Sequence, residues 1–368
     1  MLQDFLPPCD PGPKGILFTA SGEALARQGY GFPPSSEDEL AFVDGWELKF
    51  TRVIATFDHL TLAEEPDKAP TDQSQTGEQV AQVDGPWAVD LAQGGSLEGK
   101  GGGDERAAPV AALRAQNQRG GAAFDPTRRY AFGFETVAAT AQAKNVNLDA
   151  AGRSAYEKMI AAGQTYLFAG TATFKGTNCR ATDPSYDFDR LPKVIDFEFG
   201  LTLPARFSNC QNPDTAPAEP FAGEEFQRGI AIRNNASVVA QVTFHTDHLF
   251  WEEFEHDAPL HFDAFAAQVA GLGARPTLRF DNLIGTPIAP IKDRDGKPVP
   301  WRSCLASYEP PSNGAMAFDT KGIPVDSRGA PSSAIRDYAD FVAYLTSTLG
   351  HLNADGLCYV KRNYPSPP

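Results

Sequence analysis

The segment WELKFTRVIATFDHLTLAEE constrains this chain most. Its apolar residues alternate from Trp46 through Leu48, Phe50 and Ile54, a period of two that puts every second side chain on one face. A helix would scatter the same residues around its axis, so the segment reads as a long strand with one face in a core. Several other runs read the same way: GILFTA (15–20), RYAFGFETVAATAQA, TYLFAGTATFKG, VIDFEFGLTLPARF and ASVVAQVTFHT. Between them, SGEALARQG makes a capped helical turn ending at Gly29, and DAAGRSAYEKMIAAG a helix that stops at Gly163. APLHFDAFAAQVAGLG reads as a short helix and SAIRDYADFVAYLTSTLG as a helix ending at Gly350. HLNADGLCYVKRN then closes the chain as a turn and strand.

Strands and helices do not alternate as sustained βαβ units, which argues against a doubly wound sheet. The expectation is a mainly β, α+β protein: an antiparallel β-sandwich-like body with inserted helices and long loops. Residues 1–14 read as a flexible tail and 15–368 as one β-rich domain. Residues 64–82 are polar and read as loop. Residues 94–122 hold a glycine cluster and read as a flexible insertion. A Pro-rich excursion covers 287–332.

A core of this size is affordable: 42% of the residues are hydrophobic, with 25 Phe. The net charge of −15 repels phosphate backbones and anionic lipid, so nucleic acid and membrane surfaces are poor partners. No apolar run approaches 18 residues, so no transmembrane segment is expected. The N-terminus, MLQDFLPPCDPGPKG, lacks the basic and apolar regions of a signal peptide. It has the polar, Pro-rich character of a mature end behind a removed signal. The five cysteines form no CxxC motif, which excludes thiolate zinc ribbons and thioredoxin-type redox sites. Their placement in polar turns suits disulfides, with Cys179–Cys210 and Cys304–Cys358 the expected pairs and Cys9 left over. Together these place the protein in the periplasm, anchored at an outer membrane, or outside the cell.

Chemistry concentrates in residues 244–263, FHTDHLFWEEFEHDAPLHFD, which hold four of the six histidines, separated by acids. With Thr246 or Asp247 as cap, a helix through LFWEEFEH would put Phe250, Trp251 and Phe254 on one arc. His248, Glu252 and Glu255 would lie on the other, with His256 beside them. Imidazole with carboxylate suits a divalent transition ion, zinc first and copper(II) second. His245, leaving a strand end, and His248, opening the helix, can meet where a flat strand would point them apart. His245 and His248 are thus the expected primary ligands, with Asp247 in support. His351, on the turn after Gly350, or His59, in FDHL, would complete the set. His256, Glu252 and His261 are secondary candidates, and His261 in LHFDAF also suits a packed core position. A short echo links TFDHLTLAEE (56–65) to HTDHLFWEEF (245–254).

The stretch is not HExxH. GxSxG, P-loop and strand-following GxGxxG motifs are absent, and three Met do not suit a Met-rich copper(I) carrier. KDRDGKPVP, with Asp293 and Asp295, lacks the later ligands of a calcium loop and reads as a turn, as does NADG. Asn235-Ala-Ser is a formal glycosylation sequon. Trp87, Trp251 and Trp301 could stack on sugars but suit a core better.

Three functions fit. The first is metal capture, storage or delivery, with a membrane transporter or receptor as a further partner. The second is a metal-dependent hydrolase with Glu252 or Glu253 as base. The third is a non-catalytic surface lipoprotein that binds glycan or protein through loops such as 94–122. The non-enzymatic carrier ranks first.

Overall fold

A computed structural model describes the chain other than residues 1, 5–9, 13, 37–38, 115–118, 216–218, 234–235, 256–257, 311–313, 321–334 and 363–368. His256, Cys9 and Asn235 therefore lie outside the described residues. The protein is mostly β, with 34% of its residues in strands and 14% in helices, as the alternation in the sequence requires.

The alternating segment is an 18-residue strand, Trp46–Ala63, at the heart of a 12-stranded sheet. Tyr166–Phe174 and, further along, Arg129–Thr136 pair antiparallel on one edge of it, and Trp87–Asp90 and Gln79–Val83 pair antiparallel along the other. Val194–Leu201 extends the sheet beyond Tyr166–Phe174. A second sheet of six strands runs in the order Gly356–Leu357, Gly350–Leu352, Val238–Phe244, Ile16–Ser21, Arg106–Leu113, Leu97–Glu98. Parallel pairings depart from the antiparallel expectation: Val238–Phe244 runs parallel to Ile16–Ser21 in the smaller sheet, and short parallel pairs join Val194–Leu201 to Thr277–Arg279 and Lys144–Asn145 to Trp87–Asp90 and Gln3–Asp4 in the larger. The two sheets pack through aromatic rings. Phe244 of the smaller sheet meets Phe57, Phe134 and Tyr166 of the larger at centroid distances of 6.0, 6.0 and 6.1 Å, and Phe18 stacks on Phe132 at 6.0 Å. Such contacts bury the inward face of both sheets, the main stabilising term of a sandwich.

Two stretches read as loop contain strands. Gln79–Val83 falls within 64–82. Arg106–Leu113 falls within 94–122 and is an interior strand of the smaller sheet, with Ala107, Val110 and Ala111 buried. Alanine-rich sequence carries little β propensity, and here the neighbouring strand and close packing override it. Four of the expected helices form: Glu23–Gln28, Ala150–Ala162, Asp263–Ala267 and Tyr338–Thr346. Asp149 caps the second by accepting from Gly152 N, and Gly163 ends it in the left-handed conformation.

The chain holds two disulfides, but not in the expected pairing. Cys179 joins Cys304 and Cys210 joins Cys358. Cys210 follows Ala205–Ser208 and Cys358 precedes Tyr359–Arg362, and those two strands lie side by side. Sheet neighbours brought the cysteines together, which no spacing along the chain encodes. Trp87, Trp251 and Trp301 are all buried, and KDRDGKPVP is a turn in which Asp293 Oδ1 accepts from Asp295 N and Lys297 N.

A candidate metal centre

The histidine cluster is set by sheet register. Val238–Phe244 pairs antiparallel with Gly350–Leu352, with Phe244 opposite Gly350 and Thr243 opposite His351. The pairing continues one step, since His245 N donates to Leu349 O at 2.9 Å. Phe244 points between the sheets, so by strand alternation Thr243 and His245 point to the outer face. His351 shares that face with Thr243 and stands diagonal to His245. The two imidazoles lie 4.1 Å apart, centroid to centroid.

His248 arrives by a different route. The chain leaves the strand at His245 and makes a single 3-10 turn, Thr246–Leu249. The turn swings His248 back, 5.7 Å from the His245 ring and 5.4 Å from that of His351. The indole of Trp251 covers its other side at 3.7 Å, and Trp251 Nε1 donates to Asp247 Oδ2 at 2.9 Å. One ligand atom each from His245, Asp247 and His248 lie within 4.8 Å of one another, and all three residues are buried. Histidine 351 is buried too, at 1% exposure.

The protons on two rings can be deduced. His248 Nδ1 lies 2.8 Å from Thr348 Oγ1, and that hydroxyl gives its only hydrogen to Leu345 O at 2.7 Å. The hydroxyl must accept from His248, so Nδ1 carries hydrogen and Nε2 is the lone-pair nitrogen of the neutral ring. His245 Nε2 lies 3.1 Å from Ala354 O, which only accepts. Its neutral ring therefore carries hydrogen on Nε2 and its lone pair on Nδ1. Fixing one ring nitrogen with a protein acceptor is how a ligand imidazole is oriented towards an ion.

NADG builds part of this frame. Asn353 and Ala354 both adopt positive φ, 52° and 70°, and the tight turn aims the Ala354 carbonyl at His245 while Ala354 N donates to Thr243 Oγ1. Asp355 follows and joins Glu23 and His245 in a second triad of ligand atoms within 4.8 Å of one another. Glu23 Oε1 stands 3.6 Å from His245 Nε2. Burial pushes the Glu23 carboxyl up to about 6; His245 pulls it down, and Asp247, Asp355 and Glu105 add to the rise. Burial alone would depress the His245 pKa, but Glu23 and Asp247, with the Ala354 carbonyl, outweigh it and the net shift is upward. Among the described residues, no lysine or arginine pairs with the carboxylates of Glu23 or Asp355.

A cleft of about 320 Å³ reaches this cluster, with His248, Thr348 and His351 among its lining and Trp251, Phe254 and Tyr359 as walls. Among the described residues that line it, Glu255 is the acid.

The remaining described histidines, His59 and His261, are elsewhere. His59 joins Asp58, Asp84 and Glu135 in a separate cluster. His261 is buried in a charge network: Nε2 lies 2.6 Å from Glu252 Oε2 and Nδ1 3.8 Å from Asp44 Oδ2. Glu252, turned to His261 and towards Tyr308, belongs to that network and not to the cluster of three. The expected helix through LFWEEFEH is absent. After Leu249 the chain forms a hairpin-like pairing, with His261 N donating to Phe250 O, Glu252 N to Pro259 O, and Trp251 bridging Leu260. The polar arc expected from helical spacing therefore does not exist, while the strand-to-turn junction at His245 does. Glu23, Thr348 and Asp355 carry no distinguishing sequence signal; each reaches the site only through tertiary pairing.

Neither protein-family models, nor curated proteins, nor solved structures give a match to this chain.

Proposed function

We propose that this protein binds a divalent transition metal, zinc first and copper(II) second, at His245, Asp247 and His248 with His351 beside them, and serves in metal capture, storage or delivery. One observation carries the reading: three imidazoles and a carboxylate are buried together, and the proton-bearing nitrogens of His245 and His248 are already committed to protein acceptors. Burying several lone-pair donors in one place is costly without a cation to share. An imidazole–carboxylate set matches the borderline-soft ions. Two disulfides fit an oxidising compartment, and we place the protein in the periplasm or outside the cell. No helix among the described residues is long and apolar enough to cross a membrane.

The test is elemental analysis and zinc titration of the purified chain beside a His245→Ala/His248→Ala variant and Thr348→Val. The double variant is expected to lose the tightly held ion while keeping its circular dichroism. Thr348→Val releases the His248 ring and is expected to weaken binding roughly 10- to 100-fold. Unchanged metal content in the double variant would end this reading.

The cleft favours a second reading, a metal-dependent hydrolase, because an ion that a solvent channel reaches can activate a water. Glu255 rather than Glu252 or Glu253 would then be the base, since it lines the cleft. Chelator-sensitive turnover of an ester, phosphate or peptide substrate would establish it, and its absence leaves the carrier.

A further inference from the structure

The other Asp-His-Leu of the sequence echo lies on the larger sheet. There the Trp46–Ala63 strand pairs with Arg129–Thr136 in two blocks, Asp58 opposite Glu135 and then Thr61 opposite Gly133. Three steps on one strand match two on its partner, so the strand carries a bulge. His59 sits in it with φ 50°. Regular alternation would send Asp58 and His59 to opposite faces; the bulge turns both to one side, where Asp84 joins them.

Each group there is held. Asp58 Oδ1 accepts from His59 N at 2.7 Å and Gly85 N at 2.6 Å, which leaves Oδ2 to face the imidazole at 4.0 Å from Nε2. Asp84 Oδ1 is 3.7 Å from the same nitrogen. His59 Nδ1 lies 3.0 Å from Glu135 Oε2, and Arg206 fixes Glu135 through Nε at 2.6 Å and a second nitrogen at 2.5 Å. A carboxylate only accepts, so Nδ1 carries the hydrogen and the lone pair of the neutral ring points from Nε2 towards two carboxylates. Asp84 Oδ1 also accepts from Gln82 Nε2 at 2.6 Å, and a positive charge between three lone-pair donors within 4.8 Å of one another relieves the repulsion that remains. A chain of arginine, carboxylate and imidazole ending on such a point is the arrangement that orients a metal-bound histidine.

We propose that Asp58, His59 and Asp84 form a second divalent-cation site, separate from the histidine cluster, with Glu135 as the positioning residue. The donor set, one imidazole and two carboxylates, suits zinc. The His59 side chain is 40% exposed and that of Asp84 68%, so this site exchanges its ion faster and holds it less tightly than the buried one. His59 and Glu135 also line a groove of about 530 Å³ whose polar lining includes Arg206, Asn209 and Lys361. The site stands on its own geometry and does not depend on the buried cluster.

A proton on Nε2 is the other positive charge that satisfies the geometry, and the experiment separates the two. Zinc chloride is titrated into the full chain by calorimetry, with the His59 ring followed by NMR. The wild type is expected to take two ions per chain, His59→Ala and Asp84→Asn one each, and His245→Ala/His248→Ala one weaker ion that shifts the His59 resonances. Glu135→Gln is expected to weaken that ion roughly 10- to 100-fold without touching the tighter one. Should His59→Ala and Asp84→Asn bind as many ions as the wild type, with His59 resonances unmoved by zinc, the charge is a proton only and the proposal fails. Both substitutions are at exposed positions, so this comparison stands even where the double histidine variant does not fold. A wild type that takes one ion, lost with His59, would retain this site and overturn the buried one.

Discussion

Asp44 shows how one buried residue ties stability to pH. Its Oδ2 accepts from Phe262 N and Asp263 N, both at 2.7 Å, and its side chain is fully enclosed. Around it stand His261, Asp263 and Arg302, with Glu252 beyond the imidazole. Burial first, and then Asp263, push its pKa up to about 7, against the pull of His261 and Arg302. Burial works the other way on His261, but Glu252 and Asp44 outweigh it and leave that pKa raised as well. Unfolded, Asp44 gives up its proton near pH 4; folded, it holds it to about 7. The folded state therefore binds more protons across that window, and stability falls as pH rises through it, by at most about 1.4 kcal/mol per pH unit per group. The raised His261 adds a loss of the same sign above its unfolded value of about 6.5. Asp44→Asn keeps an oxygen for the two N–H groups and removes the ionisation. Its urea midpoint is expected to vary less with pH between 4.5 and 7 than that of the wild type. Parallel pH profiles for the two proteins would refute the assignment. A packed position for His261 is legible in the sequence, because apolar neighbours on both sides are visible in LHFDAF; its carboxylate partners, 9 and 217 positions away, are not.

Among the elements, the Gly350–Leu352 strand does most to place the site, and glycine at its head is a packing requirement. A Cβ at Gly350 would meet ring atoms of Phe207 and Phe134 at 2.7 to 2.9 Å, and those rings are stacked 4.6 Å apart with 5° between their planes. They have nowhere to retreat, and overpacking of this kind costs about 1–3 kcal/mol. Gly350→Ala is expected to lower the melting temperature and, by displacing His351 next to it, to weaken zinc binding at the buried cluster. A variant with wild-type melting and wild-type affinity would show that the strand can shift without disturbing the ring. The sequence marked Gly350 as a helix stop, yet the Tyr338–Thr346 helix ends four residues earlier and the glycine belongs to the strand. The same limit explains the lost helix after His248. Phe250, Trp251 and Phe254 satisfy a helical arc, but they also fit a hairpin in which Trp251 bridges Leu260, and periodicity over so few residues does not separate the two. Long alternating runs such as Trp46–Ala63 left no such ambiguity. What alternation cannot supply is which strands become neighbours, and both disulfide pairs and the meeting of His245 with His351 depend on that.

For the molecule as a whole, the net charge of −15 becomes a kinetic property once a cation is the ligand. A surface with 47 acidic against 32 basic side chains holds a negative potential that concentrates divalent ions around it and speeds their encounter with any site. That potential is screened: the Debye length shrinks from about 30 Å at 0.01 M salt to about 3 Å at 1 M. The buried cluster is screened far less, because its donors are enclosed and their spacing is set by sheet register. Salt should therefore act on entry and not on retention. The association rate of zinc, followed by stopped flow in a non-coordinating buffer, is expected to fall on the order of tenfold between 0.01 and 0.5 M sodium perchlorate, with the dissociation rate nearly constant. The Asp58–His59–Asp84 site, where solvent reaches the His59 and Asp84 side chains, is expected to lose affinity through both rates, so the two phases separate as salt is added. An association rate indifferent to salt would mean that the acidic surface serves some other end than gathering cations. A dissociation rate that climbs in step with salt at the tighter site would mean that its donors are open to solvent, contrary to the burial of His245, Asp247, His248 and His351.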